Sequence, residues 1–205
     1  MRGTLMVLSV LASGVLASAG WAQQTDLITA EGQKQMLANP GTPPAGSAQP
    51  DVTVVEYFDY NCPYCKKLVP ALQALIAQDP KIALVYKDWP ILSPVSKYAA
   101  SSALAAGWQG KYLAAHDALI RGPRLAQYDQ VDSILQGAGV NLDVLKKDRA
   151  AHAAEIAAVL KRNDEEAQAL GLEGTPGVVV GRQLLHGMAD LPYLQQRVQH
   201  ARQKP

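Results

Sequence analysis

Cysteine is scarce in this 205-residue chain: there are two, Cys62 and Cys65, three positions apart. A pair so close cannot staple distant segments, which excludes a disulfide framework and leaves a reactive pair. With no further cysteine, and with His116, His152, His186 and His200 in no paired motif, the ligand count of a zinc site is not met. Charge of either sign is also in short supply. A formal net charge of +1 gives no case for nucleic acid or an anionic membrane as partner. The single phenylalanine leaves the core to Leu, Val, Ile, Ala and Tyr, yet 48% hydrophobic residues suffice for a packed domain. Met-rich and His-rich tracts are missing, and so are internal repeats.

Long apolar runs are confined to the start. Arg2 is the only charge before Asp26, residues 5–16 form an apolar run broken by Ser and Gly, and small residues follow at Ala17-Ser18-Ala19 and Gly20-Trp21-Ala22. This layout predicts a secretory signal peptide over residues 1–22, cut after Ala22. The run is shorter than the ~20 residues of a spanning helix. The mature protein is expected in an oxidising compartment, the bacterial periplasm, where disulfides persist.

Along the rest of the chain, residues 25–38 read as a short helix and 39–50 as a Pro- and Gly-rich surface linker. Val52 to Phe58 is a β-branched, aromatic run with the near-continuous apolarity of a central strand. A helix is expected from about Cys62 to Gln78, with Pro63 in its first turn and Pro70 as a kink or break. Ile82 to Lys87 is the next strand, which makes a parallel unit. From Val95 to Leu170 the periodicity is helical, over 95–106, 110–121, 129–137, 142–149 and 151–170, with Asn141 as an N-cap and Gly171 as a stop. Residues 177–180 and 183–186 read as a hairpin, and Asp190 opens a last helix. His116 falls on an apolar helix side, the place of a core histidine.

A CxxC pair at a helix start supplies what disulfide exchange needs. Cys62 sits where free backbone N–H groups and the helix dipole favour a thiolate. Cys65 lies one turn further in and can resolve a mixed disulfide. Pro63 and Tyr64 shape the surroundings of the sulfur and add no charge, and Tyr64 offers a flat apolar surface to a substrate. Glu56 stands inside the apolar strand, where burial disfavours its charged form. An edge-facing, solvated Glu56 is the alternative. Lys87 on the neighbouring strand is its candidate charge partner.

The run Phe58-Asp59-Tyr60-Asn61-Cys62-Pro63-Tyr64-Cys65-Lys66-Lys67 after a hydrophobic strand resembles the DsbA family of periplasmic disulfide oxidoreductases. Gly174-Thr175-Pro176-Gly177 is similar to that family's cis-proline loop, and the helical block matches its inserted domain. Glutaredoxins share the CPYC motif, so the specificity lies in its combination with the leader, the insert and the Thr-Pro loop. The stretch before Asp51 departs from the isomerases of this fold, being too short for their dimerisation domain.

The resemblance implies an α/β thioredoxin fold: a central mixed sheet flanked by helices, with an inserted all-helical domain. It divides the chain into the leader (1–22), an N-terminal segment and linker (23–50), a first thioredoxin part with the CxxC (51–94), the helical insertion (95–170) and a second part with the cis-Pro loop (171–205). It further implies that Pro176 is cis beside the sulfurs, that Thr175 pairs with an extended substrate strand, and that Glu56 moves the proton of Cys65. No cofactor or metal is called for. The expected partners are secreted proteins with thiols or disulfides and a membrane redox protein that resets Cys62–Cys65, with the chain itself a monomer. Net oxidation or general disulfide interchange is the expected activity. A periplasmic reductase or isomerase is a second reading, which the Thr before Pro176 favours. A Cu(I)-binding or thiol-protecting protein is a third.

Overall fold

A computed structural model describes residues 25–38 and 41–203. The leader expected over 1–22 lies outside the described residues. The apolar run becomes β3 (Val52–Phe58), buried along nearly its whole length. It pairs in parallel with β4 (Ile82–Asp88) and antiparallel with β5 (Gly177–Val180). The chain turns at Gly181, at φ +60°, into β6 (Gln183–His186).

Two short strands complete the edges and correct the expectation for the N-terminal segment. Thr25–Leu27 forms β1, antiparallel to β6, instead of starting a helix. The helix α1 (Ala30–Ala38) begins only after Thr29, whose hydroxyl accepts the Gly32 N–H at 3.0 Å as an N-cap does. In the expected linker, Ala45–Gly46 forms β2 against β4. Glycine is required there: φ is +83°, and a Cβ would stand 2.6 Å from the Ile82 carbonyl oxygen. The mixed sheet of the described residues runs β1–β6–β5–β3–β4–β2.

One face of the sheet is covered by α2 (Pro63–Gln78) and α8 (Leu191–Gln203), through Leu68, Leu72, Leu75, Leu194 and Val198. Of the kink or break expected at Pro70, the break does not occur: α2 is one helix. Pro70 lies on its exposed side, where water can serve the carbonyl left without a donor, while buried Leu68, Leu72 and Leu75 anchor the helix before and after it. Between β4 and β5 stand α3 (Pro94–Ala106), a 3₁₀ turn at 107–109, α4 (Tyr112–Arg121), α5 (Tyr128–Gly137), α6 (Leu142–Ala151) and α7 (Ala153–Ala169). Asn141 caps α6 by accepting from the Asp143 and Val144 amides, and Gly171 ends α7 at φ +70°. Buried alanines on α3 let this helix pack closely against its neighbours. The opposite sheet face packs Val55, Tyr57, Val85 and Val179 against Met36 of α1 and Ala167 of α7.

Candidate active site

β3 delivers the chain to α2 through a turn at Asp59–Asn61, and Cys62 becomes the N-cap of the helix. Its Sγ accepts the Cys65 backbone N–H at 3.3 Å. Both cysteines are free thiols. The Cys62 thiol is drawn down to about 6, first by its hydrogen bond with Cys65. Burial opposes the shift, while Thr175 and the backbone N–H groups of Tyr64 and Cys65 add to it. Cys65 is fully buried, and its thiol is pushed far above the ordinary cysteine value by desolvation, by the Cys62 hydrogen bond and by the charge of Glu56. Cys62 is thus the more acidic thiol of the pair, and Cys65 the one that holds its proton more tightly.

Glu56 is buried, with 1% of its surface exposed. Its Oε1 has no hydrogen-bond partner among the described residues. Burial, then repulsion from Cys62, lifts its carboxyl to about 8, so it holds a proton at neutral pH. The pairing of Glu56 with Lys87 does not occur. Lys87 stands opposite Tyr57 in the ladder, one residue out of step with Glu56, so its side chain leaves the other face of the sheet. There its Nζ meets Glu166 and the Met36 carbonyl, each at 2.9 Å.

From the second half of the chain, the Thr175–Pro176 peptide is cis, and the Thr175 carbonyl accepts from Cys62 Sγ at 3.2 Å. Residues 113 apart in sequence thus meet at the reactive sulfur. Tyr64 is 55% exposed beside it, and Pro63 is exposed as well. His116 is a core residue. Its Nδ1 lies 3.3 Å from the Tyr60 hydroxyl, its ring packs on Tyr86 and Phe58, and burial lowers it to about 3. The described residues hold no group of three or more His, Cys, Asp or Glu arranged for a metal ion.

Sequence reasoning gave no role to three residues that frame the motif. Asp59 accepts the amides of Asn61 and Leu92. Asn61 and Lys66 reach across to the helical insert. Their position at the flanks of the CxxC was the available signal.

A family profile described as a DSBA-like thioredoxin domain matches residues 53–199. Among solved structures, a thioredoxin-like oxidoreductase from Silicibacter pomeroyi is 40% identical and superposes with a TM-score of 0.80, covering 84% of this chain and 98% of that one. The thiol-disulfide exchange protein alpha-DsbA2 from Wolbachia pipientis is 26% identical at a TM-score of 0.75, over 82% and 93% of the two chains. A periplasmic thioredoxin-like protein from Salmonella enterica is 25% identical at 0.71, over 87% and 100%. A curated protein named Na(+)/H(+) antiporter NhaA 1, from Salinispora arenicola, is 39% identical over 77 residues. Those residues are 37% of this chain, and the match spans only 12% of the relative's length. No helix among the described residues is long and apolar enough to cross a membrane.

Proposed function

The chain belongs to the DSBA-like thioredoxin-domain family of thiol–disulfide oxidoreductases, and we propose that it exchanges disulfides with secreted proteins in the periplasm, in the net direction of oxidation or interchange. One observation carries this reading: Cys62 caps α2 with its Sγ accepting the Cys65 backbone N–H, beside the cis Thr175–Pro176 peptide, an arrangement that draws its thiol down to about 6 while burial pushes Cys65 the other way. A thiolate stabilised by the fold stabilises the reduced protein, and so makes its disulfide a better oxidant of others. Each pKa unit is worth ~30 mV in this two-electron couple.

In the forward direction, a substrate thiolate attacks Cys62 Sγ of the Cys62–Cys65 disulfide. The S–S bond breaks, the mixed disulfide forms, and Cys65 leaves with the electron pair. Glu56, protonated at neutral pH, supplies the proton that Cys65 takes up. A second substrate thiolate then attacks the substrate sulfur of the mixed disulfide, and Cys62 leaves as the stable thiolate. The substrate loses two electrons and the CxxC gains them. A membrane redox protein is the proposed acceptor that reoxidises the pair. The contact of the Thr175 carbonyl with Cys62 Sγ and the cis Thr175–Pro176 peptide support a role for this loop in receiving an extended substrate segment. Periplasmic location rests on the leader read from the sequence and on the periplasmic relative.

The test mixes the oxidised protein with a reduced, unfolded secretory substrate and follows disulfide formation in the substrate. Stoichiometric transfer, with reduction of Cys62–Cys65, is expected. A protein that transfers no disulfide, but whose reduced form reduces insulin or repairs scrambled pairs, belongs to the reductase or isomerase reading.

A further inference from the structure

The residues on either side of the CxxC motif both grip one segment of the helical insert. Asn61 precedes Cys62, and its side chain makes a two-way bond with the backbone of Leu125: Oδ1 accepts the Leu125 N–H at 2.7 Å, and Nδ2 donates to the Leu125 carbonyl at 3.0 Å. The same Nδ2 also lies 3.2 Å from the Ser93 hydroxyl. Lys66 follows Cys65, and its Nζ donates to three carbonyls, Leu119 at 3.1 Å, Ile120 at 3.1 Å and Gly122 at 3.0 Å. These carbonyls end α4 and its cap. The last turn of a helix leaves such groups without intrahelical donors, and it carries partial negative charge. An ammonium with three donors answers both demands.

We infer that Asn61 and Lys66 are positioning residues that bracket segment 119–125 and fix it as one wall of the redox site. Its exposed residues, Arg121, Pro123 and Arg124, are then held in place by the two residues that flank the motif. A wall of this kind acts on a substrate large enough to touch it, and little on a small disulfide that reaches only the sulfur. The inference rests on the disulfide-exchange reading and adds to it a surface, contributed by the insert, that meets protein substrates.

The experiment uses the full chain with Asn61→Ala, the milder Asn61→Asp, and Lys66→Met. Turnover is measured with a reduced unfolded protein and, separately, with a small aromatic disulfide. Protection of the Leu125 amide is followed by hydrogen exchange. Loss of a positioning contact is expected to cut kcat/KM for the protein substrate ~10-fold more than for the small disulfide. Asn61→Ala should strip protection from the Leu125 amide, and Asn61→Asp, which keeps the acceptor, should retain part of it. Equal losses on both substrates, or unchanged protection at Leu125, would overturn the inference. The exchange measurement needs no turnover. A wild-type protein inactive on the protein substrate would therefore sink the functional reading while the Leu125 amide still decides the bracket.

Discussion

At the scale of single residues, the chemistry divides between two thiols and one acid. Cys62 has a folded value near 6, below the 9 of a free thiol. A lowered value means that the stabilisation of the reduced protein is full above 9 and is lost as pH falls through about 6. Thiolate absorbance of the reduced protein should therefore titrate with a midpoint near 6, and Cys62→Ser should abolish it. A midpoint near that of a free thiol would remove the basis for an oxidising pair. Glu56 runs the other way. Its folded value of about 8 lies above the ordinary 4.5, so burying it is tolerated below 4.5 and disfavours folding increasingly as pH rises through about 8. Glu56→Gln should gain denaturant resistance over the wild type as pH is raised across that window. It should also slow exchange by ~10²-fold, the lower end of what a positioned proton donor contributes. An unchanged pH–rate profile would make Glu56 purely structural. The acid was legible in the sequence as a lone carboxylate in an apolar run. The direction of Lys87 was not, because it depends on which residue faces which across the β3–β4 ladder.

At the scale of elements, the features readable in advance were those written in local chemistry. Asn141 before an amphipathic run, Gly171 after one, Gly181-Arg182 between a valine run and Gln183–His186, and Pro63 after Cys62 each mark a boundary by the backbone geometry they allow. The N-cap can be tested without touching the redox site. Asn141→Ala removes the acceptor for two amides of α6 and should cost ~1 kcal/mol of stability, seen as a lower urea midpoint at unchanged slope, with disulfide exchange unaffected. A midpoint equal to that of the wild type would mean that water serves those amides as well. The missed elements, β1 and β2, span three and two residues, too few for any periodicity. They exist because β6 and β4 present open edges to them. The unbroken α2 at Pro70 likewise reflects tertiary packing, which outweighs the local preference.

At the scale of the whole molecule, the fold works by convergence. β3 carries Glu56 and ends at the motif, α2 aligns its amides on Cys62, the loop before β5 brings the Thr175 carbonyl to the sulfur, and the insert meets the motif at both flanks. The sequence made the first three recognisable through the CPYC and Thr-Pro signatures. The contacts of Asn61 and Lys66 with segment 119–125 were invisible to it, because they join groups more than 50 residues apart with no pattern of their own. The proposed activity requires Cys62 and Cys65 to form a reversible redox couple. It is tested most directly by equilibrating the protein across a series of reduced-to-oxidised glutathione ratios and quantifying the Cys62–Cys65 disulfide by mass spectrometry after acid quenching. A single two-electron transition between dithiol and disulfide is predicted, shifting with pH about a thiol value near 6. A pair that stays oxidised at every ratio, or never closes at any, would contradict the account.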